Sequence, residues 1–173
     1  RGINPGDIFC NNDNDLGNVH TTDVHTYIPV FHDGERIAWV DGVTHEVDIG
    51  SAYRGHSQIA TTNRQEDGLF ATCEKIGEDG ELYQDWKERA QRQVRTPQYW
   101  DLDEKCRLAG CQMAKEAIIE MIEDVGVETF KQFMYEAVEE GRRTMKSRVK
   151  ERLFPGTYRE ASFCGLPFSD EAF

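Results

Sequence analysis

The feature that most constrains the fold of this chain is an Asp-Gly pair between two runs rich in β-branched and aromatic residues. Asp33-Gly34 separates residues 24–31 from residues 36–47. A two-residue type I′ turn needs a positive φ at both central positions, and Asp-Gly is among the pairs that adopt it most readily. The sequence therefore predicts a β-hairpin closed at Asp33-Gly34.

A regular ladder that starts beside this turn predicts which residues face each other. It puts Ile28 opposite Trp39 and, near the open end, His45 opposite Thr22. Because residues of like parity share one face of a strand, the side that carries Ile28 is apolar. The hairpin is therefore expected to bury that face.

The helical period replaces the strand period from about residue 81 onward. The spacing predicts helices over residues 82–94, 102–125 and 128–153, with Asp101 as the N-cap of the second. The short break at Gly126 predicts that the two long helices form an antiparallel αα-hairpin.

The apolar side chains of these helices, including the Met and Phe residues, are predicted to pack in the core. The stripe predicted for the first long helix is Leu102, Cys106, Ala109, Met113, Ala117 and Met121, and it is widened by Ile118, Ile119, Ile122 and Val125. Further short strands are predicted over residues 58–62 and 69–75. Cys106 and Cys111 are expected to be core thiols.

These patterns together predict an α+β fold. An N-terminal β-hairpin within an antiparallel sheet segment precedes a helical region that contains the αα-hairpin. We divide the 173 residues into a β-rich segment over residues 1–80, which carries the candidate site, and a helical segment over residues 81–173. The length suits roughly one domain at the usual ~100–200 residues.

Composition excludes several classes of protein. The net charge of −12 disfavours nucleic acid as a partner. No apolar run approaches the ~18 residues that a membrane helix needs. Five cysteines without a C-x-x-C pair disfavour a disulfide framework and favour a reducing, cytoplasmic location. The chain begins with a loop-like run rather than Met, so we expect it to be a piece of a longer polypeptide.

Four of the five histidines lie in or beside the hairpin, and two of them are candidate metal ligands. In the regular ladder, His20 and His45 are diagonal neighbours, ~7–8 Å apart at Cα, so their imidazoles can converge on one ion. They are predicted to lie at the open end of the apolar face that carries Val24, Val43 and Ile28. Asp23 is three residues after His20, so in a regular strand its side chain projects from the other face. Asp23 joins the pair only if the chain turns or bulges across residues 20–23, as the preceding Gly17-Asn18 would allow.

A rival cluster on the opposite face consists of Asp23, His25 and Glu46, and parity alone does not choose between the two. Two imidazoles and one carboxylate with open coordination positions suit Mn²⁺, Fe²⁺ or Zn²⁺. The sequence contains no H-E-x-x-H motif, no EF-hand loop and no P-loop. Histidines that bind no metal are the simpler interpretation of the same pattern.

Three ordered motifs resemble those of the N-methylhydantoinase B family. They are GDIFCNND at residues 6–13, LGNVHTTD at residues 16–23 and PVFHDGE at residues 29–35. The family pattern reads G-D-x-F-x-x-N-D, G-x-x-H-x-x-D and P-V-F-x-D-G in this order. Within that family, WVDGVTH at residues 39–45 and PGTY at residues 155–158 look most like acetone carboxylase α subunits.

The resemblance implies a metal site and its ligands. The ligands of the family match His20, Asp23 and His45, which would bind Mn²⁺, with Zn²⁺ or Fe²⁺ as alternatives. Asp48 is a further possible ligand or supporting carboxylate. The resemblance identifies no general base, so the catalytic residues stay unassigned.

The resemblance also implies an activity and partners. Such carboxylases convert acetone and bicarbonate to acetoacetate while ATP becomes AMP and phosphate. ATP is expected on a hydantoinase A-like β subunit, and a small γ subunit completes the assembly. The α subunit is several times longer than this chain, so we expect the isolated chain to be inactive.

Three alternatives remain at the level of sequence. The first is an ATP-dependent hydrolase of the same superfamily that acts on hydantoin or 5-oxoproline rings. The second is a non-haem iron oxygenase with a facial triad of ligands. The third is a structural segment without activity or metal.

Overall fold

A five-stranded antiparallel sheet followed by three helices forms the fold, so the predicted α+β class is confirmed. The computed structural model describes residues 2–53 and 61–161. The strands are β1 (Ile8–Asn11), β2 (Asp23–His32), β3 (Glu35–His45), β4 (Glu74–Glu78) and β5 (Glu81–Leu82), in the order β3-β2-β1-β4-β5. The helices are α1 (Gln84–Gln93), α2 (Pro97–Val125) and α3 (Val127–Arg152), and two short 3₁₀ helices cover Asn14–Leu16 and Arg64–Asp67.

The predicted hairpin is confirmed, and its turn has the expected backbone. Asp33 has φ 50° and Gly34 has φ 79°, so both central residues adopt the positive values of a type I′ turn. His32 pairs with Glu35, as the regular ladder requires. The Asp-Gly signal therefore located the connection between β2 and β3 correctly.

The predicted register is wrong beyond the first pairs. A bulge between Val30 and Phe31 shifts the ladder by one residue, so Ile28 lies opposite Val40 rather than Trp39. The same shift places Asp23, not Thr22, opposite His45. A bulge of one residue in one strand moves every later residue of that strand relative to its partner.

The first long helix begins earlier than predicted. Helix α2 starts at Pro97, with Thr96 as the N-cap, so Asp101 lies inside the helix rather than at its cap. Proline is favoured at the first helical position because its missing N–H has no partner there. The predicted ends at Val94 and Val125 agree with the structure within one residue.

The central line of the buried stripe predicted for α2 is also wrong, although Ile122 is buried and Ile118 and Ile119 pack against the core as predicted. Leu102, Met113 and Met121 are exposed, and Met113 has 70% of its surface accessible. The side chains of α2 that are buried belong to Trp100, Glu104, Arg107, Cys111 and Ile122. Two of these residues are charged, and their burial depends on ion pairs that the helical pattern does not reveal.

The core lies between the sheet and helices α1 and α2. It includes Ile8, Val24, Ile28, Val30, Ile76, Trp86 and Trp100. The four cysteines within the described residues are free thiols, of which Cys10 and Cys111 are buried. Cys106 is exposed, which contradicts its predicted place in the core, and Cys164 lies outside the described residues.

The segment predicted as a strand over residues 69–75 is mostly irregular, because β4 begins only at Glu74. The side chain of Asn12 forms hydrogen bonds with the backbone of this segment. Its Nδ2 donates to the Leu69 carbonyl over 2.9 Å, and its Oδ1 accepts from the Ala71 amide over 2.7 Å. Of the strand predicted over residues 58–62, residues 58–60 lie outside the described residues.

The chain divides into two compact units, residues 1–130 and residues 131–173. In α3, Phe130 is buried, but Phe133, Met134, Val138 and Met145 are exposed. Their predicted core packing is therefore wrong for this chain. The αα-hairpin and the division at residue 80 stay predictions. Among the described helices, none combines the length and the hydropathy of a membrane span.

Candidate metal centre

Two of the predicted ligands face each other across the ends of β2 and β3. Asp23 begins β2 and pairs directly with His45, the last residue of β3. Residues opposite one another in an antiparallel pair project from the same face with Cβ atoms ~4.5–5.5 Å apart. The carboxylate and the imidazole are therefore neighbours because of the register that the bulge creates.

The third predicted ligand, His20, lies in a turn just before β2. The Asp23 amide donates to the His20 carbonyl over 3.2 Å, which closes this turn. The side chain of Asn18 stabilises this turn, because its Nδ2 donates to the carbonyls of His20 and Asp23, each over 2.7 Å. The turn that the sequence analysis required across residues 20–23 is therefore present.

One potential ligand atom from each of His20, Asp23 and His45 lies within 4.8 Å of the others. His20 Nε2 is 3.5 Å from Asp23 Oδ2, and the two imidazole centroids are 5.1 Å apart with an interplanar angle of 76°. His45 is exposed and the other two residues are half-buried. Two imidazole nitrogens and one carboxylate oxygen form a donor set that could hold a divalent cation.

A buried hydroxyl contacts both imidazoles. Thr22 Oγ1 lies 2.6 Å from His20 Nδ1 and 3.3 Å from His45 Nε2. Thr22 itself has only 1% of its surface exposed. Nothing in the sequence pattern marks Thr22 as functional, because in the predicted register it is only the residue opposite His45.

Beneath the sheet, a buried ion-pair network supports the strand end that carries His45. Arg107 of α2 donates to Glu46 and, over 3.0 Å, to Glu104. Trp86 Nε1 also donates to Glu104, over 3.2 Å. Burial raises the pKa of the Glu46 carboxyl to about 7, because Arg107 offsets the desolvation only in part.

The rival cluster predicted on the other face does not form. His25 contacts Asp41 over 2.8 Å and Asn18 Oδ1 over 3.1 Å. Glu46 is buried on the side of the sheet that faces α2, where it binds Arg107. The shift in register moves Glu46 to the opposite face, because His45 now shares the face of Asp23 and His25.

The other predicted candidate, Asp48, has structural partners. Its Oδ1 accepts from the Gly50 amide over 2.6 Å, and its Oδ2 accepts from Arg95 over 2.6 Å. It does not belong to the three-residue cluster. The cluster also lies on the face opposite to Val24 and Ile28, which pack in the core, and not at the edge of their apolar surface as predicted.

Comparisons with known proteins found similar sequences and a similar structure. A sequence model of the Hydantoinase B/oxoprolinase family matches residues 1–168. The acetone carboxylase alpha subunit of Xanthobacter autotrophicus (strain ATCC BAA-1158 / Py2) is 44% identical over 170 residues, which is 98% of this chain and 22% of that protein. One component of a putative D-/L-hydantoinase from Pseudomonas sp. (strain NS671) is 26% identical over 93% of this chain and 27% of that protein.

A solved structure has a similar fold. Nucleotide-free acetone carboxylase superposes with a TM-score of 0.84 and 46% identity, over 91% of this chain and 21% of that chain. The chain thus spans less than a third of the length of each of these relatives.

Proposed function

The chain belongs to the hydantoinase B/oxoprolinase family, and we propose that it carries the divalent-metal site of an ATP-dependent carboxylase. The 44% identity to an acetone carboxylase alpha subunit supports this class of enzyme over others in the family. The single observation that carries the proposal is the convergence of His20, Asp23 and His45 within 4.8 Å.

We propose that these three side chains hold one Mn²⁺ ion, and that Zn²⁺ or Fe²⁺ can replace it. Neutral imidazole nitrogens and an ionised carboxylate are the forms that bind such ions. Asn18 keeps His20 above Asp23 by bonding both of their carbonyls. The remaining coordination positions are left for water or substrate oxygen atoms.

The proposed substrates are acetone and bicarbonate, and the proposed product is acetoacetate. ATP is consumed to AMP and phosphate on a hydantoinase A-like partner subunit, and a third, small subunit completes the complex. A bound divalent ion would supply Lewis-acid stabilisation to the enolate oxygen that forms next to CO₂. In this scheme the chain's own residues position the ion and the substrate oxygens, and the general base is unassigned.

A hydrolase of the same family is the second candidate function. The 26% identity to a component of a putative hydantoinase supports it, because the same three ligands could polarise an amide carbonyl. The substrate then separates the two candidates. A carboxylase incorporates labelled bicarbonate with acetone, whereas a hydrolase opens a hydantoin ring without bicarbonate.

Metal content tests the site. The complete gene product is purified as wild type, H20A and H45A, with H32A as a matched control from the turn end of the same hairpin. We expect about one Mn²⁺ per wild-type and H32A chain and strong losses in H20A and H45A. Equal metal content in all four proteins would exclude this ligand set.

Turnover tests the reaction. The complex of all subunits is assayed with acetone and ¹³C-bicarbonate, and separately with hydantoin, in the presence of ATP. We expect labelled acetoacetate from the first assay, with none from H20A or from the 173-residue chain alone. Ring opening of hydantoin without bicarbonate incorporation would favour the hydrolase instead.

A further inference from the structure

We infer that Thr22 is a positioning residue that holds His20 in the tautomer and orientation needed for metal binding. The inference rests on the proposed function, because it concerns how the proposed metal site is supported. It goes beyond that function in assigning a role to a residue outside the set of ligands.

The contact between His20 Nδ1 and Thr22 Oγ1 bears on the tautomer of the imidazole. A neutral histidine has one N–H donor and one nitrogen with a free lone pair. A histidine that ligates a metal almost always donates its other ring N–H to a fixed acceptor, which selects the tautomer. The 2.6 Å contact from His20 Nδ1 to Thr22 Oγ1 supplies such an acceptor.

The tautomer of His20 determines which of its ring nitrogens has a free lone pair. With the proton on Nδ1, the lone pair of His20 lies on Nε2. That atom is 3.5 Å from Asp23 Oδ2, the carboxylate of the proposed site. The Thr22 contact therefore leaves the correct nitrogen of His20 available to a cation.

Contacts of its backbone and side chain hold Thr22 in place. Its carbonyl accepts from the Glu46 amide over 2.8 Å, which fastens its backbone beside the end of β3. The side chain is also buried, with 1% of the residue exposed, so the surrounding atoms limit the movement of its hydroxyl. Because the same oxygen lies 3.3 Å from His45 Nε2, one buried hydroxyl limits how far both rings can move.

The test compares three variants in the complete gene product within its complex. T22V keeps the size and branching of the side chain but removes the hydroxyl, and T22S keeps the hydroxyl. T22A is measured in parallel, so that a folding defect in one variant does not decide the result. The dissociation constant of Mn²⁺ is measured by competition with a chelating dye, and circular dichroism verifies that each variant is folded.

We expect T22V and T22A to bind Mn²⁺ about 10–100-fold more weakly than wild type, and T22S to bind within about threefold of it. A spectroscopic measurement separates this role from packing. Pulsed electron paramagnetic resonance of the Cu²⁺-loaded protein detects the non-ligating nitrogen of each bound imidazole, whose coupling depends on the hydrogen bond that it donates. The signal that disappears in H20A should shift in T22V and T22A but not in T22S.

Two results would overturn the inference while leaving the proposed function intact. One is wild-type affinity and an unshifted signal in T22V and T22A. The other is a T22S protein as weak as T22V, which would assign the effect to packing rather than to the hydroxyl. A wild-type protein that binds no Mn²⁺ would overturn the proposed function and this inference together.

Discussion

Arg107 of helix α2 binds Glu46, the residue that directly follows His45, and so joins the helix to the strand end that carries the candidate site. The two side chains are 0% and 2% exposed. The same guanidinium binds Glu104 and lies over the ring of Trp100. One buried guanidinium therefore forms ion pairs with two buried carboxylates.

Replacing Arg107 by Met should strongly destabilise the fold. The change leaves two buried carboxylates without their cation, and breaking a buried ion pair in this way costs about 3–5 kcal/mol. The free energy of unfolding measured with urea provides the test. R92M is the matched control, because Arg92 pairs with Glu88 on the exposed face of α1 and should change stability by at most about 1 kcal/mol. Equal effects of the two substitutions would contradict the prediction.

Gly42 should tolerate no side chain, because α2 crosses β3 directly above it. A Cβ atom at this position would lie 2.8 Å from Cys111 Sγ and 3.1 Å from the Arg107 carbonyl. We expect G42A to lower the free energy of unfolding by about 1–3 kcal/mol through overpacking. In G110A, where a Cβ would meet nothing within 4 Å, the better helix propensity of alanine should raise stability by up to about 1 kcal/mol. Both effects are measured by urea unfolding, and a stabilised G42A would refute the close approach.

Asp7 should stabilise the protein in a pH-dependent way. Burial opposes its ionisation, but the Lys75 ammonium at 2.7 Å and the Asn4 amide outweigh burial and lower the pKa of the carboxyl. A carboxyl with a lowered pKa in the folded state stabilises that state above its unfolded pKa of about 3.9, and this contribution disappears as the pH falls through the folded value.

The D7N variant tests this linkage. At pH 7 we expect it to be less stable than wild type by about 1–3 kcal/mol, because the charged hydrogen bonds are weakened. The difference should shrink as the pH falls below 4, where wild-type Asp7 also becomes neutral. Unfolding curves at a series of pH values give this difference, and a gap that stays constant from pH 7 to pH 2 would contradict the assignment.

Asn18 should control the turn that brings His20 above Asp23. N18A removes both hydrogen bonds to their carbonyls, and N18D replaces the donating amide by a carboxylate that repels them. If the proposed site is correct, both variants should weaken Mn²⁺ binding by about tenfold or more, as losses of supporting contacts do. N63A, which removes an exposed asparagine side chain that bonds Thr62, Gln65 and Glu66, should bind Mn²⁺ as wild type does. A dye-competition titration of N18A that matches wild type would disprove this role.

Local features of the sequence predicted the hairpin and the ends of several helices. The turn at Asp33-Gly34 depends on backbone preferences of two adjacent residues, so no distant contact was needed to locate it. The ends of α1 and α2 depend similarly on nearby Pro and Gly residues. The ladder left two candidate clusters for the metal ligands, and only the family resemblance selected His20, Asp23 and His45.

The errors came from interactions between distant residues. The bulge between Val30 and Phe31 changed the partner of His45. Where the pattern predicted a strand from Leu69 onward, the backbone instead forms hydrogen bonds with the side chain of Asn12. The buried face of the N-terminal half of α2 was missed because Glu104 and Arg107 look like surface residues in a helical pattern. Their charges are buried because Arg107 compensates both Glu104 and Glu46.

By itself, the sequence determined the α+β class, the hairpin turn and the family, because these depend on local backbone preference and on ordered motifs. Only the tertiary structure decided which face of α2 is buried, which residue lies opposite His45 and which hydroxyl contacts His20. The first two depend on contacts between residues far apart in the chain, such as Arg107 with Glu46, and the third depends on the backbone of the turn that Asn18 stabilises. Periodicity describes one segment at a time and therefore contains no information about the partner that a second segment supplies.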